Sequence, residues 1–241
     1  MLLRLGEEWL SPGLPRDYII APMFHTSGGL MYLTDWQLSA DGSPSSWRPV
    51  AVPGPWEDAG VPKDHPGPLW YRAAVTPPPA WAGRRLWLRF GAVSYSCQVY
   101  INGELCGEHT GAWDPFAVEI TGHALPGAAA ELRLRVEKPA SLTAGPASPP
   151  VPGAFPLKTT LSGFLPYVWG HMFGGVWQPV ELVSTGQVIF TDAHAHGGPD
   201  GTVEVTAALS GPATVTLELY DPDGVLVHTA TAASAEDGVN D

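Results

Sequence analysis

The sequence is short of cysteine, of positive charge and of uninterrupted apolar stretches, and each shortage excludes something. Two cysteines, Cys97 and Cys106, in 241 residues cannot build the disulfide-dense framework of a small secreted domain. Lysine and arginine number 12 against 24 aspartates and glutamates, a formal charge of −12. No segment gathers the basic residues into a stripe, so neither nucleic acid nor an anionic membrane is an expected partner. No apolar run reaches membrane-spanning length. The opening MLLRLGEEWL sets Arg4, Glu7 and Glu8 where a signal peptide requires an apolar core. A cytoplasmic protein is expected. Helical periodicity is missing too, because breakers interrupt every long segment.

Those breakers are the first positive signal. Gly 28 and Pro 26 are together nearly twice the usual share of about 12%, and they read as turns between short strands. The richest stretch is 86–120. Leu86, Leu88 and Phe90 alternate with Trp87 and Arg89, and Val99 and Ile101 alternate with Gln98 and Tyr100, the period of half-buried strands. The second run ends at Asn102-Gly103, a pair suited to a type I′ turn because both central residues need positive φ. A return strand from Glu104 follows. Gly111 to Phe116 then turn the chain into Ala117–Ile120. Leu132, Leu134 and Val136 alternate with charged neighbours, a one-sided strand of an antiparallel sheet. Further strands are expected at 36–38, 70–75, 176–183, 188–190, 203–209, 213–220 and 225–230. With Asn102-Gly103 as a two-residue turn, Cys106 faces Val99 and Cys97 faces Glu108. The thiols are then diagonal neighbours, about 7–8 Å apart, too far for a relaxed disulfide. Free thiols are expected.

The same residues carry a resemblance. Val99-Tyr100-Ile101-Asn102-Gly103-Glu104, with Gly107-Glu108-His109 and Asp114-Pro115-Phe116, resembles the N-terminal sugar-binding domain of glycoside hydrolase family 2. Val52-Pro53-Gly54-Pro55-Trp56, Leu69-Trp70-Tyr71-Arg72 and Gly175-Val176-Trp177-Gln178-Pro179-Val180-Glu181-Leu182 stand in the family's order around it. The resemblance implies an all-β protein: a jelly-roll-like antiparallel β sandwich, galactose-binding-domain-like, over residues 1–186. Residues 1–35 fall outside the pattern and are expected to extend over its first sheet. From 187 to 241 the strand spacing matches the start of an immunoglobulin-like sandwich, the family's next domain, which needs about seven strands. About four are present, so their apolar faces are expected to lack a covering sheet and to invite oligomerisation.

Family members hydrolyse glycosides with two glutamates on a (β/α)₈ barrel, about 5–5.5 Å apart when the reaction retains configuration. The acid/base glutamate follows an asparagine there. Here Asn102 precedes Gly103 and Asn240 precedes Asp241, so no catalytic residue is assigned, and no cofactor either. The adjacent carboxylates Glu7-Glu8, Glu57-Asp58 and Glu236-Asp237 read as solvated charge. In the 57–68 connection, which the resemblance puts near the substrate entrance, Asp64 and His65 are candidate carbohydrate ligands, against the plainer reading of a polar loop. The Pro-rich stretch after Lys138 ends in an aromatic run, 164–173, with Trp169 and His171 as further candidates. Trp169 occupies the position where some family members place a sugar-binding aspartate. Asp192, His194 and His196 share one face of an extended segment. That pattern suits a metal such as zinc, although a polar strand face is the commoner meaning. The chain thus reads as the non-catalytic N-terminal portion of a family 2 enzyme, whose partners are carbohydrate and a barrel domain. The rival readings are a free-standing carbohydrate-binding module and a structural docking domain.

Overall fold

In a computed structural model of the chain, the described residues are 29–62, 65–138, 173–198, 200–221 and 223–233, with the backbone of 2–5 and 8–10. Strands β1 (Leu2–Leu5), β2 (Glu8–Leu10), β3 (Leu30–Tyr32), β4 (Gln37–Ser39) and β5 (Arg48–Pro49) come first. Strands β6 (Leu69–Val75), β7 (Arg85–Phe90), β8 (Ser96–Ile101), β9 (Glu104–Thr110), β10 (Phe116–Glu119) and β11 (Ala130–Glu137) follow. Then come β12 (Val180–Thr185), β13 (Phe190–Gly197), β14 (Val203–Leu209), β15 (Thr214–Tyr220) and β16 (Leu226–Ala233). Two short 3₁₀ turns, Trp56–Ala59 and Pro79–Trp81, complete the inventory among the described residues. None of these helices is long and apolar enough to cross a membrane.

The chain divides into two compact units. One comprises Met31–Ala82 and Trp87–Leu182. Its six-stranded sheet runs β5-β4-β6-β11-β8-β9, and a four-stranded sheet runs β10-β7-β12-β3. The alternation in sequence appears as alternation in burial. Along β11, Leu132, Leu134 and Val136 are all 0% exposed while Arg133 and Arg135 lie on the outer face. Tyr71 and Val75 of β6, Val99 and Ile101 of β8, Leu88 and Phe90 of β7, and Val118 of β10 are buried with them. The last of the family-like blocks begins its strand late. The expected strand at 176–183 is observed as β12, Val180–Thr185, because Gly175 to Pro179 are spent on other contacts.

The hairpin is as expected at its turn and differs beyond it. Asn102 and Gly103 both have positive φ, 51° and 85°, so Ile101 pairs with Glu104 and Tyr100 with Leu105. The next pair is Val99 with Gly107. Cys106 is thus the extra residue of a β-bulge, and Cys97 faces His109 instead of Glu108. Val118 accounts for where glycine falls: its methyl groups lie 2.9–3.0 Å from where a Cβ on Gly107 would stand. Both cysteines are free, Cys97 buried and Cys106 partly exposed.

The second unit comprises Met1–Leu30, Gly83–Leu86 and Val183–Asp241. It corrects two expectations. The N-terminal segment pairs with the C-terminal strands: Leu2 to Leu5 run antiparallel to Glu218 to Val215, in a sheet ordered β16-β15-β1-β2. The apolar faces of β13 to β15 are also partly covered, although β16 stays exposed throughout. Val205, Ala207 and Leu209 of β14, Ala193 of β13, and Val215 and Leu217 of β15 gather around buried Phe190. Two small sheets, β13-β14 and the four-stranded one, therefore supply each other's cover.

Candidate functional site

The family-like blocks meet around Trp56. Pro55 is extended and leads into the 3₁₀ turn Trp56–Ala59, which Gly60 ends in the left-handed conformation with φ 79°. This places the indole of Trp56 inside, 0% exposed. Its backbone N–H donates to the Gly174 carbonyl at 2.9 Å, and the Gly54 N–H to the Val176 carbonyl at 3.1 Å. Gly174 lies flat on the indole, where any side chain would overlap the ring. Gly175, with φ 104°, approaches the Tyr71 hydroxyl just as closely. Ser94 and Gly175 exchange two backbone hydrogen bonds, at 2.9 and 2.7 Å. Trp36 packs edge-on against Tyr71 at 6.4 Å. Burial pushes the Tyr71 phenol far above its usual pKa.

Glu57 departs from its expected role. Its side chain is 10% exposed, and Oε1 lies 2.5 Å from Nζ of Lys138, whose side chain is 1% exposed. The Gly174 N–H donates to both carboxylate oxygens at 3.2 Å, and the ammonium stands 5.4 Å from the Trp56 ring centre. This is a buried ion pair, not solvated charge. No sequence signal connects positions 57 and 138, which approach only because β11 ends beside the 3₁₀ turn.

His65 lies against the same tryptophan, edge-on at 6.2 Å. Its Nδ1 accepts a hydrogen bond from the Gly67 N–H at 2.9 Å. Asp64, Trp169 and His171 lie outside the described residues.

A second cluster was not singled out from sequence. Trp113, Phe173 and Trp177 make a closed edge-to-face trio with centroid separations of 5.0, 5.3 and 5.4 Å. The Trp177 indole N–H donates to the Ala112 carbonyl at 2.8 Å. Trp113 is 44% exposed. Beside it, His109 stacks on Phe116 at 4.0 Å and Phe116 on Phe90 at 4.6 Å. Desolvation lowers the His109 pKa, and the Asp114 carboxylate, 3.1 Å from Nε2, opposes that shift. The signal available in sequence was the Gly111-Ala112-Trp113-Asp114-Pro115-Phe116 turn. A turn exposes a tryptophan without stating what holds it.

The histidine-rich strand does not assemble a metal site among the described residues. His194 Nε2 meets Asp192 Oδ2 at 2.8 Å, while His196 pairs across the ladder with Glu204. No group of three or more potential ligands comes together there. The chemistry at Trp56 is equally spare. The backbone groups around it and the Glu57–Lys138 pair are committed to one another, whereas the Trp56 indole N–H and the Tyr71 hydroxyl are buried without a hydrogen-bond partner among the described residues.

No family model matches the chain. It is 26% identical over 225 residues to a β-glucuronidase of Paenibacillus borealis, covering 83% of this chain and 37% of that protein. It is 28% identical over 202 residues to the β-glucuronidase of the dog, covering 76% of this chain and 31% of the relative. The chain therefore spans about a third of the length of these two relatives. In three dimensions it resembles the β-glucuronidase of Ruminococcus gnavus, with a TM-score of 0.69, 20% identity, and coverage of 90% of this chain and 40% of that one. The fold is that of the N-terminal β sandwich of such enzymes. The chain carries a glycoside hydrolase family 2-like region, corresponding to the N-terminal, partial share of its β-glucuronidase relatives.

Proposed function

We propose that this chain serves as the non-catalytic N-terminal portion of a β-glucuronide-cleaving family 2 glycoside hydrolase, shaping the substrate entrance and buttressing a catalytic barrel. The observation that carries the reading is the convergence of the family-like blocks on Trp56, Tyr71, Ser94 and Gly175. Residues that mark the family are used here to hold loops in place. The sandwich is galactose-binding-domain-like in this reading, and the module from Gln187 onward begins an immunoglobulin-like sandwich. Asp64, His65, Trp169 and His171 belong to the segments that approach the sugar. The two free thiols support a cytoplasmic location. Self-association along β16, an edge strand whose residues are all exposed, is part of the same proposal.

The test is hydrolysis of nitrophenyl β-glucuronide, β-galactoside and β-mannoside by the purified chain. No turnover is expected. Turnover that survives purification and disappears on replacing one of this chain's carboxylates overturns the proposal. A second reading, direct sugar binding, is favoured by one observation: the exposed, rigidly braced face of Trp113 suits stacking on a sugar ring. Quenching of tryptophan fluorescence by millimolar glucuronate, abolished by Trp113→Ala, would establish it.

A further inference from the structure

Glu57 touches both ends of the long connection between β11 and β12. Lys138, the first residue after β11, gives it a charge-assisted hydrogen bond at 2.5 Å. Gly174, on the far side of residues 139–172, gives it a backbone N–H at 3.2 Å. The backbone before β8 also ties both sides, since the Tyr95 N–H donates to the Glu137 carbonyl while Ser94 exchanges two hydrogen bonds with Gly175, but Glu57 is the side chain that meets both Lys138 and Gly174. The Lys138 N–H donates to the Pro66 carbonyl, whereas the Gly174 carbonyl accepts from Trp56.

A carboxylate accepts several hydrogen bonds at once. A buried charge that loses its partner is strongly unfavourable. Occupancy at one end of Glu57 therefore governs the other: with Lys138 in place the carboxylate stays inside, where it can hold Gly174. We infer that Glu57 is a positioning residue, a single carboxylate that clasps the exit and the return of the 139–172 connection and couples them. Drawing the ends of a long loop together costs conformational entropy that grows slowly with its length. A clasp at the base offsets that cost whatever residues lie between. Gly174 is required for its own reason, since only a residue without a side chain can lie on Trp56 and still aim its N–H at the carboxylate.

Amide hydrogen exchange on the full chain tests this. Lys138→Met should accelerate exchange at Gly174 by about tenfold or more beyond any change in β8 and β11, because the carboxylate loses its cation. In a Glu57→Gln background the same Lys138→Met change should add nothing further at Gly174. Glu57→Asp, which keeps the charge for folding but is one methylene shorter, should also loosen Gly174. If Lys138→Met leaves Gly174 protected, or if its effect adds to that of Glu57→Gln, the two ends are held separately and the inference falls. It falls equally if Gly174, β8 and β11 accelerate by the same factor in all three variants, since that is general loss of stability.

Discussion

Strands β11 and β14 look alike on paper and differ in the folded chain. Each alternates apolar and polar residues over at least five positions, Leu132-Arg133-Leu134-Arg135-Val136 in one and Val203-Glu204-Val205-Thr206-Ala207 in the other. In β11 the apolar members are all fully buried, between strands β6 and β8. In β14, Val203 is 44% exposed and Val205 and Ala207 are only half-buried. Alternation states which face can be buried. How far it is buried depends on what stands opposite, and β14 has one ladder partner, β13, with a small cluster around Phe190.

The largest effect that would break this comparison is in the core. Leu134→Ala should cost about 3 kcal/mol or more, since it empties a fully enclosed site. Val205→Ala, in the second unit, should cost less than about 1 kcal/mol because part of the side chain already meets water. Urea denaturation of the two variants measures both, and equal losses would erase the distinction.

Next in size is the hairpin. Gly103→Val should cost about 1–3 kcal/mol, because a β-branched residue at that left-handed position is strained. Space is not the difficulty, since nothing lies within 4 Å of a Cβ there. Gly175→Ala should cost more than Gly103→Ala, as it adds a collision with Tyr71 to a similar backbone requirement. Equal denaturation midpoints for those two alanine variants would show that the junction yields easily.

A smaller effect concerns His109. Its pKa is lowered chiefly by desolvation, with Asp114 acting in the opposite direction. The folded state thus prefers the neutral ring. The corresponding stability is present above the unfolded histidine value, near 6.5, and is lost as pH falls through the lower folded value. An NMR titration should place the His109 midpoint below that of an unfolded peptide, and His109→Gln should flatten the loss of stability between about pH 7 and 5. A midpoint above 6.5 would mean that Asp114 dominates. The smallest difference is in thiol reactivity. Burial raises the pKa of both cysteines, but Cys97 is enclosed and Cys106 is not. A thiol reagent should modify Cys106 in the folded chain and Cys97 only on unfolding.

Much of the fold was legible because strands of one-sided sheets declare themselves residue by residue. The expected span of β14 is the observed one, and β6, β8, β11, β15 and β16 lie within a few residues of theirs. What was not legible depended on residues far apart in sequence. Val118 crowds Gly107 beside the bulge at Cys106, Phe190 gathers apolar side chains of β13 to β15, and Leu2–Leu5 pair with a strand some two hundred residues later. The candidate site divides in the same way. Blocks such as Pro53 to Trp56 and Gly175 to Pro179 could be recognised as motifs. The Glu57–Lys138 pair and the Trp113 trio could not, because neither spacing nor composition links their members.

The claim at the centre of this account is that the family-like blocks form a rigid junction in the sandwich, while the C-terminal module is held only lightly. Hydrogen exchange along the whole chain measures it directly. The backbone amides of Trp56, Ser94, Gly174 and Gly175 should exchange as slowly as those of β11, through global unfolding. Those of β14 to β16 should exchange faster, by local opening. Junction amides that exchange as fast as β16 would contradict the account.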